Sequence, residues 1–235
     1  MKKVLIGIQC RTDSTRLPGK AMLEVGGKSI IQHVVKSCFA AAKFVTKLSL
    51  YNAYCRVYLL VPENDYRIVE HMKDTVEIIP GPENDVLQRF VKLANSKQAD
   101  YIVRITGDCL YIPSYMISRH IKWALKVDSD YCTNVLQRTC PEGFDTEVLS
   151  KRLLDYLDEN AASGYHREHV TSLIPEQIKA GAFPSKFKIS SSKEQIDLSD
   201  VKTSIDTAEE YDRAVMEFND RKEKQIAALR FGQVF

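Results

Sequence analysis

Between Gln9 and Lys20 the chain reads QCRTDSTRLPGK, which sets Arg11, Arg16 and Lys20 on one short stretch. Small hydroxyls and a carboxylate (Thr12, Asp13, Ser14, Thr15) lie between the cations, and Pro18-Gly19 breaks both helix and strand patterns. Cations, hydroxyls and free backbone N–H groups on one loop suit a polyphosphate, although composition alone fits a solvated basic loop equally well. Asp108 and Asp206 each follow an apolar run and precede a helical pattern. Either could cap its helix, and together they could serve a hard cation such as Mg²⁺. Asp145 and Glu147 stand at i and i+2, so on a strand both project from one face, which is either solvated or suited to sugar hydroxyls. Arg167 and His169 could grip a carboxylate and donate to a hydroxyl. Asp85 and Arg89, one helical turn apart, could form a surface pair.

The first loop and the two aspartates can act together only if the fold brings them to one edge. Val4–Ile8 has the composition of a buried parallel strand, and further strands are expected at Arg56–Val61, Val76–Ile79 and Tyr101–Ile105. Helical periodicity covers Ser29–Phe44 (with Ser29 as N-cap), Asp65–Lys73, a stretch from about Asn84, and Ser114–Lys126. Strands alternating with helices predict an α/β fold, a doubly wound and mainly parallel sheet, whose ligands bind at the carboxyl ends of the strands. Residues 45–55 exceed an ordinary helix–strand link and are expected to be a small insertion, with Leu48, Leu50, Tyr51 and Tyr54 on the surface. After the fourth strand the rhythm changes. Asp130–Asn134 and Phe144–Ser150 read as strands, Lys151–Ala161 and Arg167–Lys179 as helices. The chain is therefore expected to form a single domain, 1–235, with 130–184 as a smaller α+β lobe. Val201–Ile205 reads as a returning core strand and Thr207–Lys224 as a long amphipathic helix.

The stretch R-x-x-S-T-R-L-P-G-K after an N-terminal strand resembles the signature of cytidylyltransferases that activate acidic sugars, the CMP-Kdo and CMP-sialate synthetase relatives. Gly81–Phe90 (GPENDVLQRF), Arg104–Cys109 (RITGDC) and Arg167–Thr171 (REHVT) match in the same order, closest to the branch of the spore coat polysaccharide biosynthesis protein F. The resemblance implies a nucleotide-diphospho-sugar transferase-like fold and a CTP-dependent transfer that makes a CMP-sugar and releases pyrophosphate for surface glycans. It implies nucleotide contacts from Gln9, Arg11, Ser14, Arg16, Lys20, Asp85 and Arg89, with Arg11, Lys20 and Asp108 central to catalysis. It further implies Mg²⁺ on Asp108 and Asp206, acceptor contacts from Asp145, Glu147, Arg167 and His169, and a homodimer paired through 130–184. Asp13 departs from the family pattern, which commonly has a small residue there. Other readings are a glycosyltransferase using a nucleotide sugar and a catalytically silent nucleotide-binding homologue.

The 235 residues are 44% hydrophobic and 27% charged, enough for a sizeable core, and the formal net charge is only +2. No clustered basic stripe supports nucleic-acid binding, and no apolar run reaches membrane-spanning length. The apolar start is cut off by Arg11 and Asp13 too early for a signal peptide. Six cysteines without C-x-x-C spacing read as free thiols of a cytoplasmic protein. Gly27-Lys28-Ser29 suggests a P-loop, but Met22 stands where that motif needs its first glycine. His166 and His169 lack an evident third ligand for zinc.

Overall fold

The computed structural model describes residues 1–47 and 52–230. Its elements run β1 (Lys2–Gln9), β2 (Glu24–Val25), β3 (Lys28–Ser29), α1 (Ile30–Lys47), β4 (Ala53–Pro62), α2 (Tyr66–Met72), β5 (Glu77–Gly81), α3 (Val86–Lys97), β6 (Tyr101–Thr106) and α4 (Ser114–Val127). They continue with β7 (Tyr131–Thr133), β8 (Glu147–Ser150), α5 (Lys151–Asn160), α6 (Gly164–His169), α7 (Leu173–Lys179), β9 (Ile189–Ser191) and α8 (Ala208–Arg230).

Seven strands form one sheet in the order β5-β4-β1-β6-β8-β7-β9. The pairs β5–β4, β4–β1, β1–β6 and β7–β9 are parallel, and β8 runs antiparallel to both of its neighbours. The chain winds outward from β1 to β5, then returns to lay β6 on the other side of β1. That reversal opens a crevice above the carboxyl ends of β1 and β6, the usual place for a ligand in such sheets.

Each face of the sheet is covered because β1 is apolar on both sides. Val4, Ile6 and Ile8 pack with Val34, Val35 and Cys38 of α1 and Ile117 and Ile121 of α4. Leu5 packs on the opposite face with Leu87 and Phe90 of α3, Leu153 and Leu157 of α5 and Ile174 of α7. A third, smaller cluster joins Val25 and Ile30 to Ile205 and to Ala214 of α8, beside the first loop.

Several expectations need correction. Residues 45–47 complete α1 and 53–55 open β4, so most of the expected insertion is ordinary helix and strand; Leu48, Leu50 and Tyr51 lie outside the described residues. The two strands of 130–184, β7 and β8, lie in the main sheet. Arg167–Lys179 is not one helix, because Val170 adopts a left-handed φ of 50° and separates α6 from α7. Val201–Ile205 is not a strand either. It makes one bridge, Lys202 to Glu142, and otherwise runs as a loop.

Candidate active site

The crevice is a cleft of about 320 Å³ whose walls include Gln9, Arg11, Ser14, Arg16, Lys20, Arg89, Asp108, His169 and Asp206. The loop after β1 is held open by its neighbours. Asp65 accepts from the Thr12 N–H and hydroxyl, both at 2.5 Å, and also caps α2 through the Ile68 N–H. Thr12 is thereby buried while the cations on either side stay in the cleft. The loop closes with a bond from Gly19 N–H to Thr12 O, and Gly19 takes a φ of 70° that L side chains rarely adopt. Buried Ala21 then anchors the turn that carries Lys20.

Asp108 reaches the same place because β6 and β1 end side by side. The Gly107 N–H donates to Gln9 O, and a Cβ on Gly107 would come within 3.1 Å of Cys10 and of that oxygen. Asp206 arrives by a different route from the expected strand. The Ile205 N–H donates to Asp108 O, so a main-chain bond sets the two aspartates next to each other. Asp206 does not cap α8. Thr207 and Glu210 do so as a capping box, with Glu210 accepting from the Asp206 and Thr207 N–H groups and Thr207 Oγ1 accepting from the Glu210 N–H. The Asp206 carboxylate is left to face the cleft.

The two carboxylates converge on one cation. Lys20 Nζ lies 2.7 Å from Asp108 Oδ2 and 2.9 Å from Asp206 Oδ1. Arg16 and Lys202 also pair with Asp206, at 3.0 and 2.9 Å. Burial alone would raise the Asp206 pKa, but hydrogen bonds from Lys20 and Lys202 outweigh it and bring the group down to about 2. Burial opposes the charge on Lys20 as well, and the two aspartates reverse that effect and raise its pKa. Lys20 is therefore a fixed cation near neutral pH. Among the described residues no group of three or more His, Cys, Asp or Glu side chains could hold a metal. Two carboxylates around one cation position do fit Mg²⁺, which takes one or two carboxylates and completes its shell with phosphate and water.

The other expected residues divide. Arg11 lines the cleft and pairs with Glu168 at 3.2 Å, and His169 stands beside it, its ring 4.5 Å from that of Tyr165. Gln9 and Ser14 also line it. Arg89 is 2% exposed and does not pair with Asp85 on the surface; it donates to the carbonyls of Cys10, Leu60 and Glu83, tying the ends of β1 and β4 together. Burial, with Arg11 adding to it, lowers its pKa to about 10. Asp85 caps α3 through the Gln88 N–H and pairs with Arg167 at 2.7 Å, while Arg167 also holds Asp158. That pair joins α6 to α3 outside the cleft walls.

Asp145 and Glu147 do not share a strand face. Asp145 precedes β8 and forms a two-pronged pair with Arg138, and Glu147 is buried against Arg104 and the Tyr131 hydroxyl. Neither lines the cleft. The two histidines are also separated by their partners, His166 bonding Ser172 and pairing with Glu176. Cys10 touches the cleft, but burial pushes its thiol up to about 12, so it is no nucleophile at neutral pH. Glu168 and Lys202 were not singled out as site residues in the sequence. Glu168 lies inside the R-E-H motif, whereas nothing local distinguishes Lys202 from other surface lysines.

The sequence profile of the cytidylyltransferase family matches residues 5–231. The chain is 27% identical over 220 residues to the spore coat polysaccharide biosynthesis protein SpsF of Bacillus subtilis, covering 90% of this chain and 85% of that one. It is 30% identical over 122 residues to the 3-deoxy-manno-octulosonate cytidylyltransferase of Geobacter metallireducens, covering 51% and 43%. Among solved structures it is similar to a cytidylyltransferase from Leptospira borgpetersenii, with a TM-score of 0.78, 28% identity and full coverage of both chains.

Proposed function

The chain belongs to the cytidylyltransferase family and is a CTP-dependent nucleotidyltransferase; we propose that it transfers the cytidylyl group to a hydroxyl of a sugar acid, making a CMP-sugar for surface glycans and releasing pyrophosphate. The observation that carries this reading is the Lys20 ammonium between Asp108 and Asp206, in a cleft that also holds Arg11 and Arg16. The acceptor oxygen attacks the α-phosphorus as its bond to pyrophosphate breaks. Negative charge grows on the departing oxygens, and Lys20, Arg11 and Arg16, all in the cleft walls, would offset it once they exchange their carboxylate partners for phosphate. Such a transfer needs positioning and charge, not a protein nucleophile, which agrees with the buried, neutral thiol of Cys10.

Asp108 and Asp206 would hold Mg²⁺, which supplies neutralisation of the phosphates and a more acidic acceptor hydroxyl when bound. His169 and Glu168 line the α6 side of the cleft, and we take them to contact the acceptor. Among the described residues no helix is long and apolar enough to cross a membrane. Six free, buried cysteines support a reducing compartment, which we take to be the cytoplasm.

Incubation with each of the four nucleoside triphosphates, Mg²⁺ and a panel of sugar acids tests this directly. Pyrophosphate should appear with CTP and one or a few acids. No pyrophosphate from any triphosphate, with a nucleoside diphosphate released only when a nucleotide sugar and an acceptor are supplied, would indicate glycosyl transfer instead, and binding of CTP without turnover a silent homologue. The segment 130–184 is proposed to pair two copies, and it exposes Tyr165 and Ile178. Sedimentation should read a dimer at micromolar concentration, and a monomer there would remove that part of the proposal.

A further inference from the structure

A polar row crosses the sheet on its α3 face and has no part in the phosphate chemistry above. The ideal Cβ of Gly7 would meet Phe90 of α3, so Gln9, two residues on, points to that same face. Arg104 Nε donates to Gln9 Oε1 at 2.9 Å, Arg104 Nη1 donates to Glu147, and the Tyr131 hydroxyl donates to the other Glu147 oxygen. These residues sit on β1, β6, β8 and β7, so one chain of bonds links four strands. Glu147 and Tyr131 are buried, and the Arg104 side chain is 14% exposed.

A guanidinium has only donors to offer. The Gln9 atom facing Arg104 must therefore be the amide oxygen, and the amide nitrogen is turned away from it. Gln9 lines the cleft at the carboxyl end of β1. We infer that Gln9 is a specificity-determining residue whose amide N–H donates to an oxygen of the bound substrates, a carbonyl of the base or a carboxylate or carbonyl of the sugar acid. Arg104, Glu147 and Tyr131 are positioning residues that hold the amide this way round. An unpinned glutamine can present either end of its amide, so it tells an acceptor from a donor poorly. A pinned one keeps its bond to an acceptor and sets N–H against N–H when a donor takes that place, a mismatch that costs far more than a missing methylene. A buried ion pair is weak as a pure stabiliser, since apolar residues of similar volume often replace it without loss, so a positioning role gives this one a reason to be there.

The inference rests on the cytidylyl-transfer reading and is tested so that the two can fail separately. In Gln9→Glu the new carboxylate still accepts from Arg104 but offers no donor to the cleft. Its KM for one substrate, CTP or the sugar acid, should rise about tenfold or more with the melting temperature near that of wild type, and the substrate that moves identifies the acceptor. Arg104→Met with Glu147→Leu, which removes the pin as an apolar pair, should raise the same KM. Adding Gln9→Glu to that pair should then cost less than it does in wild type, a non-additivity that a merely structural role would not produce. Unchanged KM values for both substrates in Gln9→Glu overturn the inference. If wild type turns nothing over, the reaction is misread, and calorimetric Kd values for CTP and the sugar acids decide the role of Gln9 by the same comparison.

Discussion

Lys20 Nζ lies 2.9 Å from Asp206 Oδ1 across 186 positions of sequence, and the same nitrogen holds Asp108 at 2.7 Å. One ammonium thus fixes the spacing of the two carboxylates, whose bonded oxygens must be less than twice the longer distance apart. Carboxylates this close repel unless a cation lies between them, so the centre is built to keep one there.

Lys20→Ala should leave the fold intact, because the side chain opens a single short turn, Lys20–Met22, and packs in no core cluster. Loss of a charge-assisted contact to phosphate should cost about 1.5–3 kcal/mol, seen as a drop in kcat/KM of tenfold or more. Steady-state kinetics with CTP checks this, and unchanged values would remove the loop from the active site.

Thr207→Ala should lower stability by about 1 kcal/mol while pyrophosphate release persists, since Thr207 and Glu210 carry the cap of α8 and Asp206 does not. Urea denaturation paired with the turnover assay separates the two effects. A variant with full stability would show that the capping box contributes nothing.

Arg89→Leu should destabilise the protein by about 1–3 kcal/mol, because the carbonyls of Cys10, Leu60 and Glu83 lose their donor at the ends of β1 and β4. The denaturation midpoint reads this. A midpoint at the wild-type value, with CTP affinity reduced, would make Arg89 a nucleotide contact and not a clamp.

Much of the sheet was legible in the sequence, because buried parallel strands such as Val4–Ile8 and Tyr101–Ile105 are apolar on both faces and little else reads that way. The first loop and Asp108 were legible for the same reason, as each leaves the end of such a strand. Asp206 lies beside Asp108, as the sequence suggests, but on a loop and not at the end of a strand. Val201–Ile205 has strand composition, and the bond from Ile205 N–H to Asp108 O that positions it leaves no mark on side-chain pattern. Glu147 was misjudged because its partners, Arg104 and Tyr131, come from other strands, and an acid looks solvated until both are in place. Asp145 takes its partner Arg138 from only seven residues away, yet the turn that joins them has no regular period to read. The break at Val170 is not legible, because neither glycine nor proline marks it.

The shared centre of Asp108, Asp206 and Lys20 is tested most directly by pyrophosphate release from CTP, Mg²⁺ and the accepted sugar acid in Asp206→Ser. Serine here leaves the Thr207–Glu210 cap in place, so the helix persists, and removes the carboxylate together with its pairs to Lys20, Lys202 and Arg16. The expected result is a fall in kcat of at least about a hundredfold in a protein that still folds, with helix content near that of wild type. Wild-type turnover in this variant would contradict a shared role for the two carboxylates.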